Sequence, residues 1–243
     1  MKGVILGIAP AANIVDISHE VPAQDIPGGA FIIAQAYSWF PKKTIHVVVV
    51  DPGVGSSRRP ILAEAAGQYF IAPDNGVLSM VFAREEPRVR ARHITAERFF
   101  LSPLSRTFHG RDVFSPVAAH LAAGVRPASF GKLIHDYLRL AFHEPTRTGK
   151  RAWSGTVLHV DRFGNLITNF SVDDFPDVTS RAFDLGIGLE KISRLALTFS
   201  EGEPGELLVL VGSSGYLEVA VNQGSAARHL GCGPGAPVQL TLG

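Results

Sequence analysis

Asp51, Arg58 and His109 are the side chains whose types and settings best suit chemistry on a small molecule. Asp51 stands in VVVVDPGVGSSRRP, residues 47–60, where an apolar, β-branched run gives way to Pro52, Gly53 and Gly55 and then to Arg58 and Arg59. A carboxylate delivered at the carboxyl end of a strand lies where α/β sheets bind their ligands. The glycine spacing is neither a Walker loop nor GxGxxG. A tight turn followed by a solvated arginine pair accounts for the same residues. His109 stands in TFHGRDVFSPVAAHLA, residues 107–122, beside Arg111 and Asp112, where a loop enters a helix. The helix dipole disfavours an imidazolium at that end and leaves a neutral ring, which can accept a proton as a general base. The alternative is that Asp112 caps the helix and His109 is an ordinary loop residue.

Three more segments carry polar groups at turns. HVDRFGNLITN, residues 159–169, reads as strand, Gly164 turn, strand. Asp161, Asn165 and Asn169 can be turn formers, or Asn165 can present an amide with both a donor and an acceptor to a base edge. VGSSGYLEVAVN, residues 211–222, sets Ser213 and Ser214 between two glycines, a turn that suits a carboxylate or phosphate and equally a plain hairpin. In APDNGVLS, residues 72–79, Asp74 and Asn75 follow a strand and precede a helix, and capping of that helix explains them.

These segments need elements to position them. Residues 14–17, 44–50, 61–65 and 69–72 are strand candidates, and the nearly unbroken apolarity of 44–50 is that of a strand covered on both faces. Residues 25–40, 76–83 and 112–123 are helix candidates, with Asp25 and Asp112 as caps and Gly124 as a stop. Strands alternating with helices imply an α/β layer with a mainly parallel sheet. The polar, basic stretch 143–152 reads as a linker. After it, strands dominate at 156–160, 166–170, 195–199, 207–211, 217–221 and 238–242, as in a small β-barrel or sandwich. The expected organisation is an α/β domain over 1–148 and a smaller, all-β, barrel-like domain over 149–243.

Composition excludes several functions. The 23 basic residues against 22 acidic ones argue against a nucleic-acid footprint. The single Cys232 excludes an internal disulfide and a cysteine-rich zinc site. No apolar run approaches the roughly 18 residues of a membrane span, and the chain reads as soluble and cytoplasmic.

Taken in order, MKGVIL, IVDISHEVPAQDI, DPGVGSSRR, APDNGVLS, TFHGRD, DRFGNLITN and GSSGYLEVAVN closely resemble the S-adenosylmethionine hydroxide adenosyltransferases, the sister family of the adenosyl fluorinases and chlorinases. The resemblance implies an N-terminal α/β domain and a C-terminal β-barrel, assembled as a homotrimer with active sites between subunits. It implies attack of water or hydroxide at the 5′ carbon of S-adenosylmethionine, giving adenosine and methionine. The family's water-activating trio falls on Asp51, Arg58 and His109. Asn165 and the backbone near Val221 would read the adenine, and Phe163 would pack on it. Asp161 would pair with the methionine ammonium, and Ser213 and Ser214 would hold its carboxylate. No metal or cofactor is called for.

Two departures bear on this. The halogenases carry an aromatic residue and a hydroxyl-bearing residue at the positions of Asp51 and Val54, and a Trp at that of Gln24, a position counted here among the substrate contacts. The residues present here favour hydroxide over halide. The family also begins with a strand, a TDFG-like turn and a helix before the MKGVIL segment, and its ribose-binding aspartate lies in that piece. This chain begins after it, which implies an exposed sheet edge and weakened ribose binding, and makes a catalytically weak S-adenosylmethionine- or adenosine-binding protein the alternative reading, with a halide-dependent adenosyltransferase beside it.

Overall fold

The computed structural model describes residues 1–141 and 144–243, so His143, the first residue of the expected linker, lies outside the described residues. Contacts divide the chain into two units, Met1–Leu140 and Ala141–Gly243.

The first unit contains α1 (Lys2–Ile8), α2 (Ile26–Ala36), β1 (Ile45–Val47), β2 (Pro60–Ala65), β3 (Gln68–Pro73), α3 (Ser79–Glu85), β4 (Arg90–His93), α4 (Ser115–Ala122) and β5 (Leu133–Ile134). Its strands form one sheet in the order β1-β3-β2-β4-β5. Only β1 and β3 run parallel; the other three pairings are antiparallel. The expectation of a mainly parallel sheet is therefore corrected. The reason is local: β2 and β3 are joined only by Ala66 and Gly67, both at positive φ. Such a two-residue turn forces a hairpin.

Residues 44–50 also depart from expectation. Only Ile45–Val47 is strand, it lies at a sheet edge, and it is half-buried rather than covered on both faces. Residues 14–17 form no strand; Val15 and Ile17 are exposed. Helix α2 follows the sequence signals: the Asp25 carboxylate accepts from Gly28 N–H at 2.9 Å, and a 3-10 turn over Tyr37–Trp39 ends the segment before Pro41. The core of this unit includes Leu62 and Ile71 of the sheet and Phe114, Val117 and Phe130.

The second unit contains β6 (Thr146–Arg147), β7 (Ala152–Val160), β8 (Leu166–Ser171), β9 (Phe183–Ile187), β10 (Glu190–Ile192), β11 (Leu195–Ala196), β12 (Leu207–Val211), β13 (Tyr216–Val221), α5 (Ala226–Leu230) and β14 (Pro237–Leu242). The strands follow the path β10-β9-β14-β7-β8-β13-β12-β11, with β6 beside β7. The nine-residue β7 gives its first half to β14 and its second half to β8, with a register shift between Val157 and His159. Side chains from both halves, among them Leu166, Leu217, Leu185 and Leu240, share one core. The sheet is thus curled into a half-barrel whose end strands β10 and β11 are not paired with each other. The expected strand over 195–199 is reduced to Leu195–Ala196.

Candidate active site

The 51–58 segment leaves β1 and returns to β2, and it delivers Asp51 and Arg58 to one point. Arg58 donates from Nε to Asp51 Oδ1 at 2.9 Å and from Nη2 to Asp51 Oδ2, a bidentate pair. The Asp51 and Arg58 side chains are 5% and 8% exposed, so the pair is held out of bulk water. Such geometry fixes the guanidinium plane as well as its position. The Phe114 ring lies under the guanidinium, 5.2 Å from Cζ to the ring centroid.

His109 reaches the same point from another loop. Gly55 makes this approach possible. It sits at φ +77°, and a Cβ there would lie 2.2 Å from the Arg106 carbonyl oxygen, so only glycine lets the two loops close together. Arg58 Nη2 is 2.9 Å from His109 Nδ1. A guanidinium can only donate, so Nδ1 is the acceptor. In the neutral ring the remaining proton sits on Nε2. Burial, then the positive charge of Arg58, pushes the His109 pKa below its ordinary value, against the opposing charges of Asp51 and Asp112. The ring is neutral near pH 7. One group in the trio stays open: Arg58 Nη1 is buried and has no hydrogen-bond partner.

The helix behind His109 does not start as expected. Residues Gly110–Phe114 form a π-helical turn before α4, closed by Ser115 Oγ donating to the Gly110 carbonyl at 2.7 Å. Asp112 is not its cap. That carboxylate is buried and accepts from Ser105 N–H at 2.8 Å and from Arg111 Nε at 2.6 Å, tying down the loop that carries His109. The hydrogen bond from Arg111 is the main cause that lowers the Asp112 pKa. Neither Asp74 nor Asn75 caps α3, which begins after Leu78 with no side-chain cap.

A cleft of about 420 Å³ lies beside the trio, lined by Gln24, Gly29, Ile33, Val48, Asp51 and Pro52. Gln24 stands at its rim at φ +69°. In this way the structure brings Gln24 to the neighbourhood of Asp51.

The other candidate residues lie in the second unit, along β13 and its neighbours. In the β7–β8 turn, the Asp161 carboxylate accepts from Phe163 N–H, Asn165 N–H and Asn165 Nδ2, each at 2.9 Å. Asn165 is buried, and Phe163 is 76% exposed. One Asn165 amide proton is therefore already used on Asp161, which leaves its carbonyl and one N–H. Ser213 and Ser214 form the β12–β13 turn, where Ser214 Oγ is buried without a partner. Register places the Asn165 turn against the Val219 end of β13 and the serine turn at its Tyr216 end. At about 3.3 Å per residue, Tyr216 and Val221 are roughly 17 Å apart.

Glu218 was not singled out by the sequence. It lies between those ends, and burial, then the negative charge of Asp161, raises its pKa. A Cβ on Gly212 would lie 1.8 Å from its Oε1. The available signal was a lone acid in the otherwise apolar YLEVAV.

Comparison with known proteins matches both units. The family model for the SAM hydroxide adenosyltransferase N-terminal domain covers residues 1–131, and that for the C-terminal domain covers residues 155–239. The (R)-S-adenosyl-L-methionine hydrolase of Salinispora tropica is 36% identical over 242 residues, spanning 99% of this chain and 91% of that protein. The enzyme of the same name from Thermus thermophilus is 36% identical over 256 residues, spanning 99% and 92%. The crystal structure of an uncharacterized conserved protein from Thermotoga maritima superposes with a TM-score of 0.89 at 37% identity, covering 99% of this chain and 93% of that one.

Proposed function

This chain belongs to the SAM hydroxide adenosyltransferase family, and we propose that it hydrolyses S-adenosylmethionine to adenosine and methionine. Hydroxide forms a bond to the ribose 5′ carbon, the bond from that carbon to sulfur breaks, and the electron pair leaves with sulfur as the methionine thioether. A sulfonium cation and hydroxide combine to products without a further proton transfer at the leaving group. The reaction requires no acid for the leaving group, and we assign it no metal or cofactor.

The observation that carries the reading is the unpartnered, buried Nη1 of Arg58 beside the His109 ring. The N–H groups of the buried Nη1 and the Nε2–H of the half-buried His109 are donors that favour hydroxide over water. With Nδ1 occupied by Arg58, His109 acts as a hydrogen-bond donor to the nucleophile rather than as its general base. Asp51 holds Arg58 in the plane that makes this possible.

In the second unit we assign Phe163 and Asn165, with the backbone near Val221, to the adenine, Asp161 to the methionine ammonium, and Ser213 and Ser214 to its carboxylate. Gln24 is assigned to the substrate side of the cleft. The family resemblance supports a homotrimer with sites between subunits and a cytoplasmic location. Among the described residues no helix is long and apolar enough to cross a membrane. Incubation with S-adenosylmethionine followed by chromatography tests the reading. Adenosine and methionine in equal amounts are expected; product at no more than the uncatalysed rate refutes it.

A further inference from the structure

We propose that Asp74 and Asn75 are positioning residues that staple both ends of the 51–58 loop and so set the geometry of Asp51, Arg58 and His109. The proposal rests on the reading of that trio given above. Asn75 holds the entry to the loop: its Nδ2 donates to the carbonyl of Val50, the residue before Asp51, at 2.8 Å. The other end of the same amide is pinned by Val77 N–H, which donates to Oδ1 at 3.2 Å and fixes the rotamer. Asp74 holds the exit, at Arg59, the residue after Arg58. Arg59 donates from Nε and Nη2 to Asp74 Oδ2 at 3.0 and 2.7 Å. The backbone repeats the link, with Asp74 N–H donating to the Arg59 carbonyl at 2.8 Å. The Asp74 side chain is only 5% exposed. Its Oδ1 accepts from Leu138 N–H at 2.8 Å, and Arg59 reaches on to Asp136 at 2.9 Å, so the exit is braced from a third segment.

Within the loop the Asp51–Arg58 pair ties the first residue to the last, and Arg58 N–H donates to Ser56 Oγ at 3.3 Å. Val54 N–H donates to the Asp51 carbonyl at 3.3 Å, and Ser56 N–H and Oγ donate to the Gly53 carbonyl at 3.1 and 2.6 Å. These bonds close the eight residues on themselves, and the outside bonds to Val50 and Arg59 decide where the closed loop stands relative to His109. Two adjacent residues on one turn fix both ends at once, which explains why neither is spent on capping α3. Misplacing a reacting group by about 1 Å can cost on the order of 100-fold in rate.

The test compares the full chain with Asn75→Ala and Asp74→Asn, reading kcat and KM for S-adenosylmethionine and the titration of His109 by NMR. Asp51, Arg58 and Asp112 are the charges acting on that ring. Asn75→Ala is expected to lower kcat by about 10- to 100-fold with KM within about threefold, and to move the His109 midpoint up as Arg58 is released from Nδ1. Asp74→Asn, which keeps an acceptor for Leu138, is expected to do the same to a smaller degree. A folded Asn75→Ala protein with unchanged kcat or an unchanged His109 midpoint overturns the proposal. If Asn75→Ala does not fold, Asp74→Asn decides by the same readouts. The titration needs no substrate. Absence of S-adenosylmethionine hydrolysis by the unaltered chain would therefore sink the proposed function while the staple is still judged by the His109 shift.

Discussion

Asp51 and Arg58 are paired side chain to side chain and nearly closed to water, and the half-buried His109 ring is hydrogen-bonded to Arg58. The candidate binding residues of the second unit look different: Phe163 is largely in solvent, and Glu218 carries a carboxyl that burial and Asp161 both push toward its neutral form. One region is assembled in advance, and the other has capacity to spare for a ligand. The contrast fits a division of labour. Groups that stabilise a developing reaction gain from being fixed beforehand. Groups that recognise a substrate gain by having partners still to find.

Substitutions can break or sharpen that contrast. The largest effect is expected at Arg58. Arg58→Ala removes the donors at Nη1 and the anchor of His109 together, and kcat is expected to fall by about 100- to 1000-fold with little change in KM, measured by adenosine release. His109 comes next and separates donor from base. His109→Gln keeps a side-chain N–H and is expected to stay within about tenfold of the unaltered rate, while His109→Ala loses about 100-fold. Equal loss in both would return the ring to a general-base role. In the second unit, Phe163→Ala is expected to raise KM about tenfold and leave kcat nearly unchanged, since base stacking is worth about 1–3 kcal/mol. A fall in kcat instead would erase the distinction between the regions.

Glu218→Gln should give the smallest change, in stability. A carboxyl whose folded pKa is raised above its ordinary 4.5 penalises the fold once it ionises. The penalty is absent below the unfolded value and complete above the folded one. The variant is therefore expected to melt a few degrees higher than the unaltered chain at pH 8 and at the same temperature at pH 4, read by calorimetry.

Much of the fold could be read along the chain because its signals are local. Strands β2, β3 and β12 match the largely apolar runs that suggested them, and Asp25 caps α2 as its type and place suggest. What was missed or misread depends on partners distant in sequence. The Arg90–His93 strand, with charged side chains, owes its conformation to pairing with β2 and β5. Asp74 and Asn75 have the residue types of a helix cap, yet their bonds go to Arg59 and Val50, 15 and 25 positions away. In the site, Asp51 and Arg58 stand in one string, seven positions apart. His109 is 51 positions from Arg58, and only the likeness to a family joined them beforehand. The tautomer that makes His109 a donor was invisible until Arg58 was seen on Nδ1.

The central claim is attack by hydroxide on the 5′ carbon, and turnover in water enriched in oxygen-18 tests it most directly. The account predicts adenosine carrying one heavy oxygen at its 5′ hydroxyl, unlabelled methionine, and loss of this product with Arg58→Ala. Adenosine free of label, or no adenosine above the uncatalysed rate, would contradict it.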